Sequence, residues 1–168
     1  MRTPKPIHQE SIPRALAKAE RYRLLNEPSQ AESICRDVLA IDAANQQALI
    51  CLILAMTDMF AGAQVKVDEV RPLVQKLSGR FDRVYYAGVV EERWARSLLL
   101  AGYPRPMGHE LLLLAMDCFE QAQPLAETGN DDAILRWNAC LRFMDQIHLD
   151  DTADDHDPPS LDDDVPVR

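Results

Sequence analysis

Apolar residues recur every three or four positions from Ile12 onward, and polar clusters break this rhythm at intervals of ten to twenty residues. Such a period belongs to amphipathic helices packed along one stripe. Ile12, Ala15, Leu16, Ala19, Tyr22 and Leu25 make the first stripe, with Ser11 placed as its N-cap and Pro13 in a first turn that tolerates it. "NEPSQAE" interrupts: Pro28 disfavours helix at Glu27, and Ser29 with Glu32 spells a capping box for a second helix. That helix is expected to bury Ala31, Ile34, Cys35, Val38 and Leu39 and to end near Asp42. Asn45 then caps a third, running to about Phe60. Because Ala48 to Met56 is apolar almost all round, the third helix is expected to sit centrally, covered on several sides.

The pattern is weakest over 61–80, where Pro72 predicts either a kink or a helix starting near Asp68. "SGR" ends that segment. A long helix is then predicted from about Phe81 to Ala101, with Tyr86, Val90, Trp94, Ser97 and Leu98 facing inward. "GYPRPMG" at 102–108 reads as a loop. A sixth helix is expected over His109 to Leu125, burying Leu111, Leu112, Ala115, Phe119 and Ala122. For the last, Gly129 closes the preceding element, Asn130 caps, and Asp131 and Asp132 meet the positive helix end. Its stripe is Ala133, Ile134, Trp137, Cys140, Leu141 and Met144. The expected fold class is therefore all-α, about seven helices, with an arm at 1–10, a helical domain at 11–148 and a disordered acidic tail at 149–168.

Composition changes this picture in one place. Eight Asp against a single Arg in 149–168 account for seven of the nine excess negative charges, so the body is close to neutral. It lacks the basic stripe that a nucleic-acid binder needs, and nucleic acid is not expected as a partner. The longest apolar run, nine residues at 48–56, is too short for a bilayer span of about 20. No apolar leader precedes the first helix, so export and membrane insertion are not expected and the cytoplasm is. Cys35, Cys51, Cys118 and Cys140 are widely spaced within apolar stripes, as buried thiols would be.

Two stretches can be laid over each other: "AESICRDVLAIDAANQQAL" (31–49) and "AMDCFEQAQPLAETGNDDAIL" (115–135). Each opens with Ala and carries a sulfur or aromatic residue four positions on (Cys35, Phe119). A small or medium residue follows three later (Val38, Ala122), and a polar turn with Asn ends the unit (Asn45, Asn130). Small residues allow two antiparallel helices to approach, and pairs of this kind bury their faces only by stacking. The pattern resembles the tetratricopeptide repeat (TPR) family on Ala19, Tyr22, Ala31, Leu39, Asp42 and Asn45, and again on Gly88, Ala115, Ala122 and Asn130. Ala43 stands where the family's turn usually carries proline. The resemblance implies a right-handed superhelix of antiparallel helix pairs, three repeats and a final helix, covering most of 11–148.

It also implies a function: a protein–protein interaction scaffold that takes a peptide or helical segment in a concave groove. Carried over by register, the groove would comprise Leu16, Glu20, Arg23 and Leu24, then Ile50, Leu54 and Thr57, then Tyr85, Val89, Glu92 and Arg93, and finally Leu135 and Arg136. Leu16 and Glu20 stand where relatives that grip a C-terminal carboxylate use Lys and Asn, so an amphipathic or apolar segment suits this groove better. The expected partner is a protein or peptide, and the expected state a monomer or weak homodimer. Two alternatives stay open: a small secretion-chaperone-like protein, and a helical-bundle enzyme or metal protein. For the last, the sequence holds no G-x-S-x-G, P-loop or G-x-G-x-x-G. His8, His109, His148 and His156 do not pair at ligand spacing, and "DQIH" at 145–148 has no second copy. No catalytic residue, cofactor site or metal site is assigned. Glu92 with Arg96, and Asp132 with Arg136, are expected i,i+4 ion pairs. The acidic tail is either a solubilising appendage or a segment that folds back onto Arg93 and Arg96.

Overall fold

The computed structural model describes residues 2–62 and 64–154, with 148–154 described by backbone alone. Among them are seven α-helices and no strand: α1 (Ile12–Leu24), α2 (Pro28–Ile41), α3 (Gln46–Asp58), α4 (Val67–Val74), α5 (Arg80–Leu100), α6 (Arg105–Ala122) and α7 (Asp132–Asp154). Each helix packs on the next, and α1, α3, α5 and α7 also touch one another in series. The even-numbered helices therefore wedge between consecutive odd ones. The tail expected at 149–168 lies outside the described residues from 155 on; α7 itself runs to Asp154.

Helix boundaries follow local chemistry. After α1, Asn26 takes a left-handed φ of 59°. The Glu27 amide then reaches back to the Tyr22 carbonyl at 2.8 Å and the Asn26 amide to Arg23 at 3.0 Å, which satisfies the last carbonyls. Asn45 Oδ1 accepts from the Ala48 amide at 2.9 Å, the cap expected for α3. Asn130 Oδ1 likewise accepts from the Asp132 amide at 3.0 Å ahead of α7. Two expected caps do not form. Ser11 precedes α1 without a side-chain cap bond, and α2 starts one residue before Ser29. Pro28, with φ already set for a first turn, displaces the Ser29–Glu32 box, and Glu32 pairs with Arg36 at 2.7 Å instead.

The stretch 102–108 is only partly a loop. Gly102, at φ +79°, closes α5, and the Tyr103 amide bonds back to Leu98 at 3.0 Å. α6 then starts at Arg105: Pro106 fits a first turn, and position 108 lies so close to Leu99 that glycine suits it. A Cβ at Gly108 would lie 2.5 Å from Leu99 Cγ. Pro and Gly, normally loop formers, here serve a helix start and a close crossing.

Small residues make the crossings. Ala19, Ala31, Ala115 and Ala122 are fully buried. At Gly88 a Cβ would meet Phe119 Cε1 at 2.7 Å and Cys118 Cβ at 3.0 Å, so α5 lies directly on the Phe119 ring. α3 is central as expected, buried between α1, α2, α4 and α5. Three buried clusters result: one around α3, one between α5, α6 and α7, and a small one of Ile12, Leu16, Val38 and Ala48; Tyr86 packs against the first two. Leu25, Ile134 and Leu141 were expected on inner stripes and are exposed. Leu25 is the residue at which α1 stops, while α7 has a neighbour on one side only, at α5 and α6.

Replacing Gly88 with Val pushes a branched side chain into Phe119 and should cost about 3 kcal/mol. Gly102→Ala, strained in φ but with open space around it, should cost about 1 kcal/mol. Urea denaturation of the two variants beside the parent checks the ordering.

Candidate functional site

The four odd helices share one face, and a run of charged side chains crosses it. At the C-terminal end of α3, Asp58 accepts from Arg23 Nε of α1 at 2.9 Å and also from Arg93 Nη1 of α5. Arg93 Nη1 additionally reaches Thr57 Oγ1 at 2.8 Å and the Leu54 carbonyl at 3.2 Å. Last-turn carbonyls lack helical partners and carry partial negative charge, so a guanidinium is well placed there. One residue earlier on α5, Glu92 accepts from Arg96 Nε at 3.0 Å and from Arg136 Nη1 of α7 at 3.1 Å. The run thus joins α1, α3, α5 and α7.

Glu92 is 2% exposed, a burial tolerable only because two guanidiniums surround it. Arg93 has its pKa lowered, mainly by burial; Asp58 opposes this, while the like charges of Arg136 and Arg23 add to it. Arg136 is desolvated too, yet Glu92 and Tyr85 outweigh that and raise it. Four guanidiniums therefore meet two carboxylates in direct contact. Glu20 on α1 and Asp132 on α7 are further acids of these helices. Glu20 accepts from Gln47 Nε2 at 3.2 Å, and neither makes an ion pair with these arginines among the described residues. Arg136 thus pairs with Glu92, not with Asp132 one turn before it. The Glu92–Arg96 pair forms as expected.

The expected groove residues divide by burial. Leu16 and Val89 are core, at 3% and 0% exposure, and line no open surface. Their positions face the even helices because α1 and α5 are each packed on two sides. Thr57 and Glu92 are also buried, with every polar contact turned inward. Ile50, Leu54 and Tyr85 are half-buried, and Glu20 is exposed. Leu24 and Leu135 stand out, at 88% and 64% exposure. Phe81 stacks on Tyr85 with centroids 5.3 Å apart, and Tyr85 leans on Phe119 at 5.8 Å. Arg23, Arg93 and Arg136 gather on this face. Asp58, which holds the first two, is missing from the expected set. It is the last residue of α3 and polar by position, and only the helix-to-helix register reveals its role.

Other features are structural. Arg71 binds Glu91 through Nε and Nη2, each at 2.8 Å, and pins α4 to α5. Trp94 meets Phe60 edge-on at 5.5 Å, and Trp137 Nε1 donates to Glu120 at 3.0 Å. All four cysteines are free thiols. Burial pushes Cys140 up to about 12 and raises Cys118; for Cys35, a thiol hydrogen bond with Cys51 adds to burial in the same direction. These three remain protonated and unreactive at neutral pH. An apolar cleft of about 360 Å³ lies at the far end of α5, between Leu99, Leu112, Met144 and Ile147. A smaller one, about 280 Å³, opens beside Arg23, Leu24 and Asp58 at the edge of the charged face. Among the described residues no group of three His, Cys, Asp or Glu is placed to hold a metal ion. No helix there is long and apolar enough to cross a membrane.

The chain matches no protein-family model, and no curated protein or solved structure matches it. By its fold, the chain is all-helical over the described residues, with α1, α3, α5 and α7 in contact in series.

Glu92→Gln removes the countercharge of two partly exposed arginines and should destabilise the fold by about 2 kcal/mol. Asp117→Asn, an exposed change on α6, should cost nothing measurable. Paired urea titrations distinguish them.

Proposed function

We propose that this protein is a TPR-like adaptor whose odd helices form the inner wall of a superhelix and hold a peptide or helical segment of a partner protein. One observation carries the reading: α1, α3, α5 and α7 touch in series, and two hydrogen-bonded sets, Arg23–Asp58–Arg93 and Glu92–Arg136, meet at adjacent residues of α5 and between them reach all four. Helix pairs stacked in this way give an extended surface to which every repeat contributes. Half-buried Leu54 and Tyr85, with exposed Leu24 and Leu135, supply apolar anchors beside the arginines. Aromatic and aliphatic anchors ringed by polar groups are what segment recognition uses. The reading favours a binding module over an enzyme, since both carboxylates of this face, Asp58 and Glu92, are each held by two arginines.

Leu24→Asp with Leu135→Asp changes two exposed positions and should leave the fold intact. A partner captured on the immobilised parent should be lost, or bound at least tenfold more weakly, by this double variant. It should be retained by Leu113→Asp with Leu114→Asp on α6. Equal capture by both would move the binding surface off the odd helices.

A further inference from the structure

The charged face carries more positive than negative charge in direct contact. Arg23 uses only Nε and Arg93 only Nη1 toward protein acceptors, so both Nη groups of Arg23 and Nη2 of Arg93 lack a partner among the described residues. Three of the four guanidiniums, from three helices, share two carboxylates and still repel one another, so a further anion is favoured there. Beside them lie Leu54, whose carbonyl receives Arg93, and Tyr85, against Arg136. The site therefore selects a short run of carboxylates flanked by aliphatic side chains.

That chemistry is present in the chain itself. Residues 160–167 read "SLDDDVPV", three consecutive Asp between Leu161 and Val165, and residues 155–168 hold five Asp against one Arg. Reach is sufficient for the Asp164 end of this run to come level with Arg136 and Arg93. α7 runs alongside α5, with Arg136 beside Glu92, the Ala139 carbonyl beside Arg96 and Met144 beside Leu99. Eighteen residues of helix separate Arg136 from Asp154, about 27 Å. Asp164 lies ten residues beyond Asp154 and in extended chain reaches back about 33 Å.

We infer that the Asp162–Asp164 segment docks on the Arg23–Arg93–Arg136 face of the same chain and competes there with a partner's acidic segment. This rests on the odd helices being the binding surface, and it deepens that reading: the partner's segment resembles the tail, acidic with aliphatic flanks. The carboxylates take the open guanidinium donors in charge-assisted hydrogen bonds, while Leu161 and Val165 cover the apolar positions.

The test titrates a fluorescein-labelled peptide of residues 155–168 into the full chain and into the full chain carrying Asp162→Asn, Asp163→Asn and Asp164→Asn. Anisotropy should show the triple variant binding the peptide at least tenfold more tightly, because its own tail no longer competes. Adding Arg93→Gln and Arg136→Gln should abolish that gain. Equal affinity for parent and triple variant, or binding by neither, overturns the proposal. Should circular dichroism find the arginine variants unfolded, the triple variant is compared at 50 and 500 mM NaCl, both chosen as about twofold or more away from physiological screening. An affinity that does not fall with salt is then the overturning result. Sedimentation mass that rises with concentration in the parent alone would place the tail on a second copy, which also overturns docking within one chain. A peptide that binds while no partner is captured would sustain the tail contact and sink the adaptor reading; capture with no effect of the tail changes would do the reverse.

Discussion

Fewer than two turns of α5 set the positions of nearly everything else. Gly88 brings the helix onto the ring of Phe119 in α6; three residues later Glu91 turns to Arg71 of α4. The next two side chains diverge, Glu92 to Arg136 of α7 and Arg93 to Asp58 of α3. Six consecutive positions thus address four helices. The absent side chain at 88 is what permits this, because a Cβ there would move α5 away from α6 and carry the three charged residues with it.

The charges would be a poor source of stability taken alone, since removing ions from water costs nearly what their attraction returns. Their geometry is more restrictive than their energy. Glu92 must receive two guanidiniums from opposite directions, and Asp58 two more, so a helix slipped by one residue would strand a buried carboxylate. Apolar contacts between Leu, Val and Ala tolerate such slips far better. In this fold the small residues decide how near the helices come, and the polar bridges decide in which register.

Much of this was legible in the linear pattern. The helical period, the central placement of α3, the Asn45 and Asn130 caps and the five small crossing residues all follow from spacing, because burial along a stripe is a local property. What could not be read depends on partners distant in sequence. Asp58 looks like an ordinary helix-end polar residue until α1 and α5 are brought to either side of it. Arg136 has Asp132 one turn away and chooses Glu92, 44 positions earlier, because that carboxylate is desolvated and needs it more. Leu16 and Val89 were placed in a groove by register alone, and the wedge of even helices buries them. Pro106 and Gly108 signal a loop by composition, yet the demand of Leu99 for a bare backbone opposite it turns them into a helix start.

Packing in chain order has a bearing on how the molecule comes into being. Since each helix rests chiefly on those just before and after it, the ends that must meet are never far apart along the backbone, and little loop entropy opposes their meeting. The pair α1–α2 finds its first support in α3, before the residues of α6 and α7 need exist. Such a chain can take shape progressively as it emerges from the ribosome, each new helix settling on a surface already formed.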